Sequence, residues 1–405
     1  MSLRYLACAV ASVLSLNAVG TAHARPEISG VAALEQRYFF QESLFRDSFS
    51  GQLSLYAEPE FYWDLNDGSD SLVIKPFLRV DQRDDERTHA DIREFLWTHA
   101  SDEWELKAGI GKVFWGQVES LHLVDVINQT DFVETIDTED KLGQPLINFS
   151  LIKSWGTTSF FVLPYFRERT FAGEDGRFRL PLDLDIDNPI YESSSEESHV
   201  DWAVRWEHTL GNWDVGLSYF DGTAREPLFV QDVRIDSTGN PEPILRPFYP
   251  QMQQIGVDIL AVVNSWLIKF EGIQRDQLDE KFIALVAGFE YTSVGVFDTQ
   301  YDIGWLLEYQ YDERDELATT AGQNDVLLGT RLVLNDIDGT EILVGYVQDL
   351  GFSNSRSLFV EASSRINDVW KWRFESFLFS SEEPSDFAFF FRRDDYIQFS
   401  IEHYF

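Results

Sequence analysis

Cysteine and basic residues are scarce in this sequence, and each scarcity excludes a class of protein. One cysteine, Cys8, occurs in 405 residues, which excludes a disulfide framework and a cysteine zinc site. Lysine and arginine total 32 against 69 aspartates and glutamates, so the formal net charge is −37. A chain with this charge lacks the basic face that meets nucleic-acid phosphates, and we expect no nucleic acid among its partners.

Long apolar runs are also missing after residue 24, where no stretch reaches the ~18 residues that a membrane helix requires. The start of the chain is different. Arg4 gives a positive charge, residues 6–19 are largely apolar, and residues 22–24 read Ala-His-Ala, a small-residue cleavage pattern. We therefore predict that residues 1–24 are a cleaved signal peptide. An N-terminal membrane anchor is the alternative, for which the apolar stretch is short.

Alternation of apolar and polar residues is the pattern that the chain does contain. Hydrophobic residues make up 44% and aromatic residues 15%, too much for a disordered acidic chain. In segments of about ten residues the two kinds of side chain take alternate positions, as in a strand with one apolar face. The clearest segments are 202–208, 213–220, 303–312 and 370–375.

The connectors between these segments alternate in length. Short turns rich in Gly, Asn and Asp suit tight hairpins, and they lie at 66–69, 101–102, 156–157, 211–212, 264–265, 336–339 and 367–368. Longer polar connectors lie at about 38–50, 82–89, 116–145, 168–198, 222–250, 276–281, 312–324, 350–356 and 380–394. This rhythm predicts an all-β fold, a transmembrane antiparallel up-and-down β-barrel of about 18 strands, with 16 possible. In it the turns are periplasmic, the long connectors are extracellular loops, and residues 25–405 form one domain.

The membrane explains why such a sheet would close on itself. In hydrocarbon every backbone N–H and C=O must be paired, and an open sheet leaves an unpaired edge. The outer face must be apolar while the lumen can be polar, which produces the alternation. A soluble β-sandwich or propeller is the alternative. Propeller blades would give repeats of ~40–50 residues, and none is present beyond the hairpin rhythm.

The last segment carries the most specific signal. Apolar residues occupy alternating positions there, at Ile397, Phe399, Ile401 and the terminal Phe405. This segment resembles the C-terminal signature of bacterial outer-membrane proteins, except that His403 stands where that family usually has an apolar residue. The resemblance implies that the four residues are an assembly signal for the barrel-assembly machinery, and that outer-membrane lipids and lipopolysaccharide surround the barrel. In size the chain resembles the 16- and 18-stranded porins and the alginate-export barrels, without a motif that assigns a subfamily.

Charged residues on the polar face of the predicted strands would line the lumen. Both signs occur there, so we predict a mixed, mildly acidic lining that includes Lys75, Arg79, Lys107, Arg205, Glu271, Glu308, Arg331 and Arg373. Much of the acidic excess falls in the long connectors. Either it keeps exposed loops soluble or holds divalent cations beside lipopolysaccharide, or it forms a negative vestibule that concentrates cations.

The connector at 116–145 is the most informative loop. Val118, Leu121, Val124 and Ile127 recur every three residues, which predicts a short helix with one apolar face. In many porins a helix-bearing third loop folds into the barrel and narrows the pore. By that resemblance, the candidates for the pore constriction are Asp125, Asn128, Asp131 and Glu134. The alternative is a loop that packs over the rim of the barrel.

Motifs for catalysis and for metal binding are weak. The histidines lack an HExxH or other paired ligand spacing, and the Gly-x-Ser-x-Gly and P-loop patterns are absent. Asp183, Asp185 and Asp187 have a calcium-like spacing, but the glycine and distal glutamate of an EF-hand loop are missing. We therefore predict no catalytic residue, metal ligand or cofactor, and a protein that is not an enzyme.

These patterns together predict an outer-membrane, porin-like channel of a Gram-negative bacterium. Its expected function is the passive or selective passage of small hydrophilic solutes, with a leaning to cations. A polymer or polysaccharide export channel is the alternative, although an anionic polymer would favour a basic lumen, which the mixed charges do not supply. A barrel enzyme or adhesin is a further alternative without a positive feature in the sequence.

Overall fold

The alternating segments of the sequence form strands. The computed structural model describes residues 25–405 except 46–48, 236–237 and 320–321, and the predicted signal peptide at 1–24 lies outside the described residues. The strands, numbered in chain order, are β1 (Glu27–Phe39), β2 (Gly51–Leu65), β3 (Asp70–Asp81), β4 (Ala90–Ala100), β5 (Trp104–Gly111), β6 (Gln144–Lys153), β7 (Gly156–Leu163), β8 (Asp183–Leu184), β9 (Ile190–Tyr191), β10 (Asp201–Leu210), β11 (Trp213–Thr223), β12 (Leu228–Ile235), β13 (Pro241–Tyr249), β14 (Gln251–Val263), β15 (Trp266–Gln277), β16 (Glu280–Ser293), β17 (Asp302–Asp312), β18 (Asn324–Val333), β19 (Glu341–Asp349), β20 (Arg356–Asn367), β21 (Trp370–Ser380) and β22 (Tyr396–Tyr404).

Eighteen of these strands form one closed antiparallel sheet. Each pairs with its neighbours along the chain, and β1 pairs with both β2 and β22. The sheet passes from β7 to β10 and from β11 to β14, which leaves β8, β9, β12 and β13 outside it. Closure removes the unpaired edge that a membrane would not tolerate. The predicted all-β, up-and-down barrel of about 18 strands is confirmed.

Side-chain burial alternates along the strands in the sense expected of a membrane barrel. In β1, Glu35 and Arg37 are each 5% exposed, whereas Leu34 and Tyr38 are 46% and 48% exposed. Charged residues are therefore inside and apolar residues outside, the reverse of a soluble protein. Among the described residues, no helix is long and apolar enough to cross a membrane.

The connectors are short at one end of the barrel and mostly long at the other. The short set comprises 66–69, 101–103, 154–155, 211–212, 264–265, 294–301, 334–340 and 368–369. The other set comprises 40–50, 82–89, 112–143, 164–200, 224–250, 278–279, 313–323, 350–355 and 381–395. The prediction of a longer connector at 276–281 is wrong. Leu278 and Asp279 alone join β15 to β16, with φ of 53° and 61°, the left-handed pair of a tight hairpin turn.

Two of the long connectors pair with each other above the barrel. In 224–250, β12 and β13 form an antiparallel hairpin. The short strands β8 and β9 of connector 164–200 add to β13 in parallel. This small sheet ties the fourth and fifth connectors together over one part of the barrel mouth.

Helical structure in the described residues consists of short 3-10 turns. They are Asn66–Gly68, Glu196–Ser198, Val296–Asp298, Asp315–Leu317 and Phe387–Phe391. None lies in the connector at 112–143, so the predicted short helix there is wrong.

Candidate functional site

The third connector, residues 112–143, crosses the interior of the barrel. It links β5 to β6, and β5 lies half-way round the eighteen-stranded sheet from β18. Glu119 of the connector nevertheless pairs with Arg331 of β18, at 2.6 Å from Nη2 to Oε1. Glu119 Oε2 also lies 3.3 Å from the ammonium of Lys269 on β15. The first half of the connector is thus attached to the wall opposite its own origin.

Two buried carboxylates on that wall accept backbone N–H groups of the connector. Glu271 of β15 is fully buried and accepts from the N–H groups of residues 117, 118 and 124, at 2.6–3.3 Å. Glu308 of β17 is 1% exposed and accepts from the N–H groups of residues 119 and 120 and from the Ser120 hydroxyl, at 2.6–3.0 Å. Charge-assisted bonds of this kind contribute about 1.5–3 kcal/mol each. The alternation of their strands predicts that both residues face the lumen, but it does not indicate what they bind.

The same bonds explain why the predicted helix does not form. A helix requires its N–H groups to reach carbonyl groups four residues earlier. In residues 117–124 five of these groups donate to side-chain carboxylates instead. The residues with three-residue apolar spacing therefore form an irregular segment, which Glu271 and Glu308 hold against the barrel wall.

The apolar residues of the connector pack on an apolar patch inside the barrel. Val118, Val124 and Ile127 are 4%, 0% and 1% exposed. From the connector the cluster also includes Trp115, Leu123 and Val126, and from the wall and rim Leu146, Phe161, Leu163, Ala203, Phe220, Ala224, Met252, Ile273, Ala284 and Val286. Each fully buried aliphatic side chain contributes about 1.5–3 kcal/mol. Gly256 of β14 allows the close approach, because a Cβ there would lie 3.3 Å from Val124 Cγ1.

His122 connects the two halves of the connector to the barrel wall. Its Nε2 lies 3.1 Å from Glu139, and its Nδ1 lies 3.6 Å from Glu271. Burial lowers the pKa of His122, but the hydrogen bonds and charges of Glu139 and Glu271 outweigh it and raise that pKa to about 10. His122 is therefore a cation at neutral pH. Conversely, the hydrogen bond from His122 holds the pKa of Glu139 below its usual value.

The second half of the connector is held by arginines of the near wall and of the connector at 82–89. Glu134 lies 2.5 Å from Arg79 of β3, and Asp131 lies 2.5 Å from Arg93 of β4. Arg87 donates to the carbonyl groups of residues 133 and 134 at 2.9 and 2.8 Å. Asp131 and Glu134 are only 0% and 4% exposed. The negative charges that the sequence suggested for a constriction are thus largely offset by buried guanidinium groups.

Asp125 and Asn128 shape the connector itself. One oxygen of Asp125 accepts from the N–H groups of residues 115 and 116 at 2.6 and 3.0 Å. The Asn128 amide accepts from Val113 N–H and donates to the carbonyl groups of Gly111 and Leu142, each at 2.8 Å. Asn128 is 3% exposed, so its polar atoms are directed at the backbone of its own loop.

The other predicted lumen residues form pairs along the wall. Arg205 binds Asp258 through two bonds of 2.6 and 2.9 Å. Lys75 lies 2.7 Å from Glu60, Lys107 lies 2.8 Å from Glu105, and Arg373 lies 2.5 Å from Glu402. The predicted set is thus divided among separate pairs. Arg79, Glu271, Glu308 and Arg331 bind polar groups of the third connector, and the Arg205 guanidinium lies over the ring of Trp115 in that connector, 5.2 Å from its centroid.

A cavity of about 520 Å³ lies beside the third connector and below the fourth and fifth connectors. We call it the vestibule. Ten acids line it, namely Asp85, Glu86, Asp125, Asp137, Glu174, Asp175, Asp183, Asp185, Asp187 and Glu226, against six bases, namely Lys141, Arg169, Arg179, Arg225, Arg234 and Arg275.

Some of the vestibule acids are neutralised by bases. Glu226 lies 3.2 Å from Arg275. Burial raises the pKa of Glu226, but the positive charges of Arg275 and Arg169 together have the larger effect and lower that pKa to about 2. Asp183 pairs with Arg179 and Arg234. Four exposed acids, in contrast, have no base within 4 Å among the described residues: Asp85, Glu86, Asp175 and Asp187.

Several contact residues had no signal in the sequence. Arg93 lies on β4, but 91–99 alternates poorly and hides the inward position of Arg93. Glu35 lies on β1 and pairs with Arg79 and Arg87 at 3.2 and 2.6 Å. Arg87 and His89 belong to the connector at 82–89, which looks like an ordinary polar loop. Their pairing with residues of the third connector depends on how two loops fold over each other. No local pattern in the sequence indicates such contacts between loops.

Comparison with known proteins was informative at the level of structure. The chain is similar to a BenF-like porin from Pseudomonas fluorescens Pf-5, with 8% identity over 94% of this chain and 97% of that chain and a TM-score of 0.54. It is also similar to Acinetobacter baumannii OccAB3, with 8% identity over 94% and 99% and a TM-score of 0.53. The chain has the porin fold. No family model matches it, and no curated protein matches its sequence. At such identities the likeness shows the fold alone, and that part of the sequence resemblance is confirmed.

Proposed function

We propose that the protein is an outer-membrane channel that passes small hydrophilic solutes, with the third connector as its constriction. The observation that carries the proposal is the attachment of that connector to Glu271 and Glu308 across the barrel. A closed barrel with an apolar outside and a charged inside provides a path through hydrocarbon. A segment tied across that path restricts what can pass.

Charge supports a preference for cations. Acids outnumber bases in the vestibule, and a negative mouth concentrates cations and repels anions. The seated connector also argues against export of a thick polymer, which would need a wider path. Lipopolysaccharide and outer-membrane lipids would surround the barrel, which the barrel-assembly machinery would insert.

Single-channel recording in planar bilayers tests the proposal. The wild-type protein should give a stable conductance. Glu271→Gln and Glu308→Gln, singly and together, should raise the conductance and its noise, because an amide accepts the connector N–H groups more weakly. Glu402→Gln is the matched control, since Glu402 is 2% exposed and pairs with Arg373 away from the connector.

Two results would count against the proposal. Absence of wild-type conductance at several salt concentrations would contradict a channel. A double variant that conducts like the wild type would contradict the constriction while leaving the channel in place.

A further inference from the structure

Three potential metal-binding atoms converge where the connector at 82–89 meets the third connector. His89 Nε2 lies 3.6 Å from Asp131 Oδ2 and 3.5 Å from Glu134 Oε1. All three atoms lie within 4.8 Å of one another. Asp131 and Glu134 are 0% and 4% exposed, so the meeting point is shielded from bulk water.

None of the three atoms has a hydrogen-bond partner among the described residues. The other polar atom of each side chain, in contrast, is engaged. His89 Nδ1 lies 3.2 Å from the carbonyl of Arg87, Asp131 Oδ1 accepts from Thr170 Oγ1 at 2.6 Å, and Glu134 Oε2 lies 2.5 Å from Arg79. The partners orient each side chain so that these three atoms, none of which makes an aligned hydrogen bond, point at the same place. Buried polar atoms are rarely left without a partner, so three at one point require an explanation.

A positive charge between these atoms would explain why three buried polar atoms without hydrogen-bond partners meet at one point. When Nδ1–H donates to the Arg87 carbonyl, a neutral imidazole directs its Nε2 lone pair at two carboxylate oxygens, which is unfavourable. A proton on Nε2 would be attracted by both carboxylates, but the distances of 3.5–3.6 Å exceed the 2.7–3.2 Å of a good hydrogen bond and leave room for a larger cation. Ligands around a tetrahedral zinc ion, with bonds of about 2.0–2.2 Å, are about 3.4 Å apart. The two separations from His89 Nε2, 3.6 and 3.5 Å, match that spacing, and the two carboxylate oxygens lie within 4.8 Å of each other.

The neighbouring arginines are compatible with a bound cation. Arg93 Nη2 lies 2.5 Å from Asp131 Oδ2 without the alignment of a hydrogen bond, and Arg79 holds the far oxygen of Glu134. Carboxylate ligands of metals are commonly held in this way by an outer layer of donors. Both arginines are shared with other acids, since Arg79 also lies 3.2 Å from Glu35 and Arg93 also lies 3.2 Å from Asp91. Their positive charge therefore does not fall on Glu134 and Asp131 alone.

The geometry points to a divalent transition-metal site formed by His89, Asp131 and Glu134, with Zn²⁺ as the ion that fits one imidazole and two carboxylates. The ion would join the connector at 82–89 to the third connector and fix the second half of the latter on the wall of β3 and β4. The inference concerns binding and does not depend on the proposed channel activity.

Zinc titration of the purified full-length protein, after chelator treatment, tests the site. We expect one tight site by calorimetry in detergent. His89→Ala and Asp131→Asn should each weaken it by about 100-fold or more. The matched control is His199→Ala, because His199 also contacts a buried carboxylate, at 2.8 Å from Asp201, and lies outside the third connector. That control should bind zinc as the wild type does.

Several outcomes would overturn the site. They are no zinc binding to the wild type at micromolar concentration, unchanged binding in both site variants, or equal loss in the His199 control. X-ray absorption of the zinc-loaded wild type decides the case if the variants do not fold. One imidazole and two carboxylates around zinc would support the site, whereas more than one imidazole, or oxygen ligands alone, would refute it.

Discussion

Charged side chains inside this barrel are mostly engaged by other residues, and this changes what each of them can do. Glu271 and Glu308 would be ion-binding groups in an open lumen. Here they accept backbone N–H groups and position a loop. Asp131 and Glu134 are similarly offset by Arg93 and Arg79. Residues that look alike in the sequence thus divide into structural anchors and free charges.

His122 should make the attachment of the third connector sensitive to alkaline pH. Its folded-state pKa is raised from 6.5 to about 10. A raised pKa means that the stabilisation is complete below pH 6.5 and is lost as the pH rises towards 10. Conductance should therefore be constant from pH 5 to 6.5 and increase on the approach to pH 10, whereas His122→Gln should lack this transition. The same rise in both proteins would assign it to other groups.

Outward-facing residues should tolerate charge poorly. Leu217 lies in the middle of β11 and is 48% exposed on the outer face. Leu217→Arg should destabilise the folded barrel by about 2–4 kcal/mol, because the guanidinium would enter hydrocarbon. Leu317→Arg is the control, since Leu317 is 80% exposed in a connector. Urea titration in liposomes measures both variants, and equal stability would show that Leu217 does not face lipid.

The roles of single residues were harder to predict than their positions. The alternation in 303–312 places Glu308 inside correctly, since Glu308 is 1% exposed while Trp305 is 50% exposed. It cannot reveal that the connector N–H groups bind Glu308, because that contact joins residues almost 190 positions apart. The His89 cluster was missed for the same reason.

At the scale of elements, the third connector shows where a pattern in sequence misleads. Its apolar spacing was interpreted as a helix, and the segment is irregular because the wall supplies the hydrogen-bond acceptors. The hairpin at Leu278 and Asp279 shows the opposite error. Polar residues around it suggested a longer loop, while two left-handed residues suffice for the turn. The short connector at 294–301 gave no clear turn signal and was not predicted.

The last strand closes the barrel, and we predict that it also carries an assembly signal; one experiment can separate the two. Phe405 exchanges backbone hydrogen bonds with Gly30 of β1 at 3.0 and 3.1 Å, which completes the closure of the barrel, and its side chain is 51% exposed. Phe405→Ala keeps the backbone bonds and removes the predicted assembly signal. We expect a lower membrane yield and aggregates in the periplasm. Tyr38→Ala, which removes an aromatic ring 48% exposed on the neighbouring β1, should insert normally. Heat-modifiable migration reports folding, and equal yields of the two variants would contradict the signal.

For the whole molecule, the fold was predictable because one physical requirement acts on every strand. Hydrocarbon outside and charge inside impose an alternation of apolar and polar residues along each strand. The connectors are short at one end of the barrel and mostly long at the other, so their lengths distinguish the two ends. The lumen is less predictable, because its content is decided by loops that fold inward. The apolar patch that receives Val124 contains inward residues such as Ala284 and Val286, which blur the alternation of β16. A barrel interior that packs a loop needs apolar inward residues, and these interrupt the alternation of apolar and polar positions from which a barrel is predicted.

Ion selectivity is a property of the whole molecule. The sequence predicts that acids of the third connector determine it, whereas the structure favours the exposed acids of the vestibule. Asp131 and Glu134 are paired with arginines, whereas Asp85, Glu86, Asp175 and Asp187 are exposed and unpaired among the described residues. Low-dielectric walls confine the field of such charges, and salt screens it beyond ~8–10 Å. The wild-type channel should therefore prefer cations in a salt gradient, less so at high salt. Replacing the four acids by their amides should shift the reversal potential towards zero.

The barrel itself supplies the control for this prediction. Four exposed aspartates in the short turns at the other end, Asp67, Asp102, Asp298 and Asp338, can be changed to asparagine with the same loss of net charge. If the vestibule sets selectivity, this second quadruple variant should keep most of the cation preference. Equal shifts would mean that net charge alone governs the potential. A wild-type channel that prefers anions would mean that the basic residues around Arg169 and Lys141 dominate the path.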